Sequence, residues 1–405
     1  MAGPAALYIC INRFFMHDII HDRLQTIHGI LKKNTSQQNT FLTGKLGLIY
    51  YYYHAWLVTG DNELSDLANQ LLEQVFNDLN SGIPALVGNA LSMGGAGLGY
   101  VVNALAKEKL ITFEVDNEFD ELDRYLFNTA LAQIEEDTID YLHGALGILH
   151  YFNDRCPTPV ISQYVDTMVE KVCNRAVKTE AGYYFRNYVM KLEEKDDINF
   201  GLAHGLSGIL MILLGSWPHT RHKELVKHTV LEGIRFILKH KMDVDFSNDE
   251  YTVFPFAIKK GATELTAPNR IAWCYGDLAE VLLFYRAHKL FHEPGLLELA
   301  DVIGTQTLLR KTPNATLAVD AHFCHGTSGL AQLYRTVYKE SGKEAYRKGY
   351  EYWIEQTILM LDNDLKKDLY KGKEHNLLEG LPGIAFTLLS YISPRELNWS
   401  KALLL

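Results

Sequence analysis

A Gly-x-x-Gly motif followed by an apolar run recurs along the whole chain, and this self-similarity constrains the fold more than any other feature. It stands as Gly44-Lys-Leu-Gly47, Gly94-Gly-Ala-Gly97, Gly144-Ala-Leu-Gly147, Gly205-Leu-Ser-Gly208, Gly326-Thr-Ser-Gly329 and Gly380-Leu-Pro-Gly383, with Gly276-Asp-Leu-Ala279 completing the set. Successive first glycines are 50, 50, 61, 71, 50 and 54 residues apart, so seven near-regular units fill the sequence. Each motif leads into a stretch such as Leu48-Ile-Tyr-Tyr-Tyr or Ile209-Leu-Met-Ile-Leu, apolar on most sides as a helix buried all round must be. Between them lie amphipathic stretches. In the first, Ile20, Leu24, Ile27 and Leu31 recur at helical spacing, with Asp22, Arg23 and Lys32 on the other face. The unit is therefore a polar-backed outer helix followed by a buried inner helix, and glycines at the inner helix start let a neighbour or a substrate approach the backbone closely.

Length alone suggests two or three domains, but seven in-phase units predict one domain over residues 1–405. Helix pairs can end in an open solenoid or a closed ring. A solenoid needs polar-faced end units, and neither the first unit nor the last, with Ile384-Ala-Phe-Thr-Leu-Leu, has that character. The expected fold is all-α, an α/α toroid. The two longer spacings place loop insertions at about residues 178–203 and 242–272. The second contains Glu250-Tyr-Thr-Val-Phe-Pro-Phe-Ala-Ile258, which reads as extended; insertions of this kind shape the opening of a ring.

Composition narrows the function. With 39 Lys+Arg against 49 Asp+Glu the formal net charge is −10, which argues against a dedicated nucleic-acid binder. The five cysteines, Cys10, Cys156, Cys173, Cys274 and Cys324, are odd in number and scattered, so free thiols or metal ligands in a reducing compartment are better readings than a disulfide framework. No basic residue precedes Arg13, as a signal peptide would require. The uncharged stretches Ser81 to Ala106 and Ile198 to His219 are interrupted by Pro84, Asn89 and glycines or by His204. The expected location is the cytoplasm, with membrane association at most peripheral.

Because the repeats are in phase, residues just before each first glycine share one end of the ring. At minus two stand Leu42, Ser92, Leu142, Ala203, Cys274, Cys324 and Leu378, and at minus one Thr43, Met93, His143, His204, Tyr275, His325 and Glu379. Two cysteines and three histidines thus converge although they lie far apart in sequence. Cys274, Cys324 and His325 come from adjacent units, and two thiolates with an imidazole suit Zn²⁺ with a fourth position left open. The competing reading treats both cysteines as small buried hydrophobes.

Trp273-Cys-Tyr-Gly276, Cys324-His-Gly326, Ala203-His-Gly205 and the sevenfold glycine repeat together resemble the lanthionine synthetase C-like (LanC) cyclases over essentially the full chain. The resemblance implies a double ring of seven inner and seven outer helices, with zinc held by Cys274, Cys324 and His325. It also implies a reaction in which a precursor-peptide cysteine thiol adds to dehydroalanine or dehydrobutyrine to close a thioether ring. A dehydrated precursor peptide is then the substrate, and a lanthipeptide dehydratase and an exporter are the implied partners.

The thiol addition generates an enolate that needs hydrogen-bond donors and then a proton at Cα. His204 is the leading general acid. By the same resemblance Asp140 orients His204 or relays a proton, Arg270 is the cation that positions enolate or substrate, and Tyr275 is a hydrogen-bond donor. Asp140 reads equally well as a cap, and Asp137 in the same acidic stretch competes with it. His143, His322 and Glu379 read as solvated residues of the opening. Ala279 departs from the family's usual glycine.

Three rivals remain at this level. A LanC-like enzyme could add glutathione to dehydrated residues of proteins; another toroidal enzyme, such as a protein prenyltransferase subunit, also activates a cysteine thiol on zinc, with six helix pairs; a helical-repeat binding protein could hold zinc structurally.

Overall fold

The computed structural model describes residues 4–34, 36–81, 86–155, 157–188, 197–259, 265 and 268–405, with side chains of the first helix from Met16 onward. Parts of both insertions, together with Pro84, Cys156 and the Cys10 side chain, lie outside the described residues. Fourteen helices alternate in role. The outer ones are Pro4–Lys33, Asn62–Asn80, Asp120–Glu135, Pro159–Asn174, Lys223–Lys239, Pro294–Thr307 and Glu344–Lys366; the inner ones are Lys45–Thr59, Gly95–Lys107, Ala145–Asp154, Leu206–Ser216, Asp277–Phe291, Thr327–Ser341 and Leu381–Ile392. Single helical turns at Val115–Glu118 and Pro313–Thr316 precede an outer and an inner helix respectively.

Each inner helix packs against the inner helices before and after it, and the seventh packs against the first, so the ring closes. The fold is an α/α toroid. The amphipathic stripe of the first outer helix faces inward, with Ile20, Leu24, Ile27 and Leu31 all buried. Fully burying such a side chain is worth about 1.5–3 kcal/mol, and this term holds the outer ring to the inner one.

The glycine repeat has a steric cause. At the second glycine of six units a Cβ would come within 2.4 Å of the carbonyl oxygen six residues earlier, as at Gly47 against Phe41. That earlier residue, at minus three from the first glycine, is Phe41, Leu91, Tyr141, Leu202, Phe323 or Leu377, and Trp273 holds the same place in the unit with Ala279; each is buried to 1% or less. The side chains of Phe41, Leu91, Trp273, Phe323 and Leu377 then lie against the second glycine of the next unit, at Gly97, Gly147, Gly329, Gly383 and Gly47 respectively. The chain's last unit is locked to its first in the same way as its internal neighbours.

A belt of backbone hydrogen bonds runs around the mouth. Leu42 N donates to Ser92 O, Ser92 N to Leu142 O, Leu202 N to Cys274 O, Cys274 N to Cys324 O, Cys324 N to Leu378 O, and Leu377 N to Leu42 O. Between units three and four no such bond joins described residues; Leu142 N is taken by the Asp140 carboxylate instead.

The insertions bring the few strands. β1 (Val177–Thr179) and β2 (Gly182–Tyr184) form a hairpin, and β3 (Ile198–Asn199) of the first insertion pairs antiparallel with β4 (Ala257–Ile258) of the second. Of the segment Glu250 to Ile258, only its end is thus in a strand; Asp277 Oδ1 instead accepts from the backbone N–H of Val253 and Phe254. No described helix is long and apolar enough to cross a membrane.

Candidate functional site

In five units the turn before the inner helix closes when the first glycine's N–H donates four residues back, as from Gly144 to Asp140 O and from Gly326 to His322 O. Unit five differs. Gly276 has φ +118°, a region L side chains rarely adopt, and Ala272 N donates to Tyr275 O across the turn at 2.8 Å. This is also the unit where Ala279 replaces the second glycine. The altered turn presents Cys274, and its carbonyl accepts from Leu202 N at 3.0 Å, which ties it to the segment carrying His204.

One donor atom each from Cys274, Cys324 and His325 lies within 4.8 Å of the other two. Tetrahedral zinc–thiolate bonds of about 2.3 Å separate two sulfurs by about 3.8 Å, so the three side chains fit a metal ion. The sulfurs titrate as a pair. The Cys324 thiol donates to Cys274 and, against the opposing effect of burial, His325 adds to this, so Cys274 falls to about 5; the same contact and burial push Cys324 well up. The half-buried Arg270 favours the thiolate at both sulfurs by its charge. Two thiolates with a neutral imidazole would balance a divalent ion.

His322 corrects its sequence reading. It is buried, with its ring 4.2 Å from that of His325 in an edge-on contact and Nε2 3.4 Å from Asp320 Oδ1. Burial lowers it to about 4, with the charges of His325 and Lys373 adding to the effect. Glu379 is exposed as expected.

Units three and four supply the second half of the site. Asp140 is fully buried; Oδ1 accepts from Leu142 N (2.9 Å) and His143 N (2.8 Å), while Oδ2 accepts from His204 Nδ1 (3.0 Å) and Asn187 Nδ2 (3.3 Å). Three N–H donors independent of His204 mark Asp140 as an acceptor on both oxygens, so His204 faces it with a proton on Nδ1 and its basic lone pair on Nε2. Asp140 is thus both the cap of its turn and the partner of His204. Asp137 is not a competitor, because Arg175 engages it at 2.6 Å.

His143 also departs from the solvated reading: its ring stacks on His204 at 5.5 Å and 11°, and Nδ1 lies 2.9 Å from Ser92 Oγ. Burial lowers its pKa against the pull of Asp140, with His204 lowering it further. Donor atoms of Asp140, His143 and His204 also lie within 4.8 Å of one another, but the carboxylate is already saturated, which suits proton handling better than a second metal.

Tyr275 stacks on Phe256 at 4.6 Å, and its hydroxyl accepts from Asn199 Nδ2 at 2.9 Å. Asn187 and Asn199 escaped the sequence reading because a lone asparagine in an insertion carries no periodic signal. Cys173 is a buried bystander, raised to about 11 chiefly by burial.

Residues 35–404 match the family described as "Lanthionine synthetase C-like protein". The chain belongs to that family. Among solved structures it resembles "Nisin cyclase", with a TM-score of 0.74 at 18% sequence identity over 98% of this chain and 97% of that one. The structural match shows a common fold, and the family assignment agrees with the glycine repeat and the two cysteine motifs.

Proposed function

We propose that this protein is a zinc-dependent lanthionine synthetase. It would add cysteine thiols of a dehydrated precursor peptide to dehydroalanine or dehydrobutyrine, giving lanthionine or methyllanthionine rings, with residues 1–405 acting as one domain. The observation that carries the reading is the convergence of Cys274, Cys324 and His325 at the same ring mouth as the His204–Asp140 pair. Zinc held by those three side chains supplies a Lewis-acidic position that favours the thiolate form of a substrate thiol at neutral pH.

The other steps belong to the chain. His204 Nε2 accepts the thiol proton, and Asp140 stabilises the imidazolium through Nδ1. Sulfur attacks the β-carbon, the S–C bond forms, and the alkene electron pair moves to the carbonyl oxygen as an enolate. Arg270 would supply a cation, and Tyr275 an O–H donor, to stabilise that oxygen. His204 then returns its proton to Cα, so the addition balances without leaving group or oxidant.

In this reading the protein works in the cytoplasm beside the dehydratase that makes its substrate and, downstream, an exporter. The test incubates zinc-loaded protein with a synthetic peptide containing cysteine and dehydroalanine, and counts free thiols by alkylation. Loss of alkylatable cysteine that vanishes in His325→Ala supports cyclisation. No loss sinks it. A parallel arm with glutathione and a cysteine-free dehydroalanine peptide separates the alternative in which glutathione is the thiol.

A further inference from the structure

The segment Trp399 to Leu405 packs against residues of the inner helices, His150, Arg286, Phe386 and Ser390 among them, and in it Lys401 alone is exposed. Four successive carbonyls of this segment are each taken by a ring side chain. His150 Nε2 bonds Lys401 O at 3.0 Å, the Tyr141 hydroxyl donates to Ala402 O, Trp273 Nε1 donates to Leu403 O at 2.9 Å, and Arg286 donates to Leu404 O at 2.8 Å. Burial lowers His150 to about 4, so it is a neutral donor. These four side chains belong to units three and five only.

Three contacts of the segment fall on residues immediately next to functional ones. Tyr141 follows Asp140 and precedes the N–H groups that Asp140 caps; Trp273 precedes Cys274; and Phe323, whose ring meets that of Trp399 at 5.6 Å, precedes Cys324. Trp399 is itself fixed by stacking on Phe386 at 4.6 Å and by donating to Ser390 Oγ. The segment therefore spans from unit three to unit five, across the place where the backbone belt of the mouth is not continued.

We propose that Trp399–Leu405 is a positioning strut for the reaction, holding the Asp140 turn and the Cys274 turn in register from inside the ring. A buried indole N–H or phenol O–H left unpaired is costly, so each contact fixes the rotamer of its side chain and with it the adjacent turn. The proposal rests on the cyclase reading, but half of its test does not need turnover.

The experiment uses the full chain with Tyr141→Phe, which keeps its ring and loses one donor, and Trp273→Phe, which exchanges the indole for a smaller phenyl ring as it loses its donor. Trp273→Phe is expected to weaken cobalt binding roughly tenfold and to alter the thiolate-to-cobalt absorption. Tyr141→Phe is expected to leave that spectrum unchanged while lowering kcat roughly tenfold at constant KM, the scale at which small misplacements of reacting groups act. If both variants keep wild-type metal affinity and kcat, or if both lose the two properties in parallel with thermal stability, the segment only fills space and the proposal is wrong. Should the wild type show no cyclase activity, the functional reading fails, while the cobalt measurement on Trp273→Phe still decides whether the strut sets the Cys274 turn.

Discussion

His204 and Asp140 meet where, among the described residues, no backbone hydrogen bond links neighbouring units at the ring mouth: Nδ1 stands 3.0 Å from Oδ2, and Asp140 Oδ1 takes the N–H groups of its own turn. A side-chain contact replaces a belt bond at this join. The imidazole therefore sits at an opening in the belt, on the residue that follows Leu202 and Ala203, whose N–H groups reach the Cys274 carbonyl.

His204→Asn should lower kcat about 10²–10³-fold, within the usual range for loss of a general acid or base, without changing bound metal. Asp140→Asn should lower it less, and should also loosen the turn. Steady-state kinetics alongside metal analysis test this; loss of metal in His204→Asn would show that the two halves are not separate.

Metal-free protein should hold one thiolate at pH 7. Because the Cys324 thiol is the main cause that keeps Cys274 at about 5, Cys324→Ala should move the thiolate midpoint upward, and Cys274→Ala should abolish the signal near neutrality. Ultraviolet thiolate absorbance against pH measures both. A midpoint unmoved in Cys324→Ala would mean that the sulfurs do not share a proton.

Two glycine-to-alanine changes should act in opposite directions. Gly147→Ala would drive a Cβ to 2.4 Å from Tyr141 O and 2.8 Å from the Leu91 side chain, at a cost of several kcal/mol. Gly29 lies on the exposed face of the first outer helix with nothing within 4 Å of a Cβ, so Gly29→Ala should stabilise by about 0.5–1 kcal/mol. Chemical denaturation of both reports the contrast.

Glu280 predicts a pH dependence of stability. It is fully buried, with Ser207 Oγ donating to Oε1 and Oε2 lacking a partner, and burial raises its carboxyl to about 8, with Asp277 adding to the effect. A folded value above the unfolded one means a contribution fully present below the unfolded pKa and lost as pH rises towards 8. Glu280→Gln should therefore flatten the decline in melting temperature between about pH 5 and 8 and gain on the order of a few kcal/mol at pH 8. An unchanged slope would place the titrating group elsewhere.

The repeat made the ring legible because Gly47, Gly97 and their equivalents answer to one steric demand, repeated in phase, which one sequence can display. Cys274, Cys324, His325 and His204 were legible for the same reason, since phase alone carried them to one mouth. His322 and His143 read as solvated, whereas His322 is buried and His143 half-buried against rings on the same turn or on the next unit, and nothing in local sequence encodes that. The strut was missed because backbone carbonyls of residues 401–404 do its bonding, and carbonyls have no sequence signature.

The lock between Leu377 and Gly47 has a consequence for how such a protein can change. An open array can lengthen or shorten by one repeat at little cost, since each unit answers only to its neighbours. Here every join is interior, so deleting a unit leaves two incompatible edges and adding one forces all other crossing angles to open. Changes of length that keep the ring closed are left to the connecting segments, and closure ties the seven units into a single block.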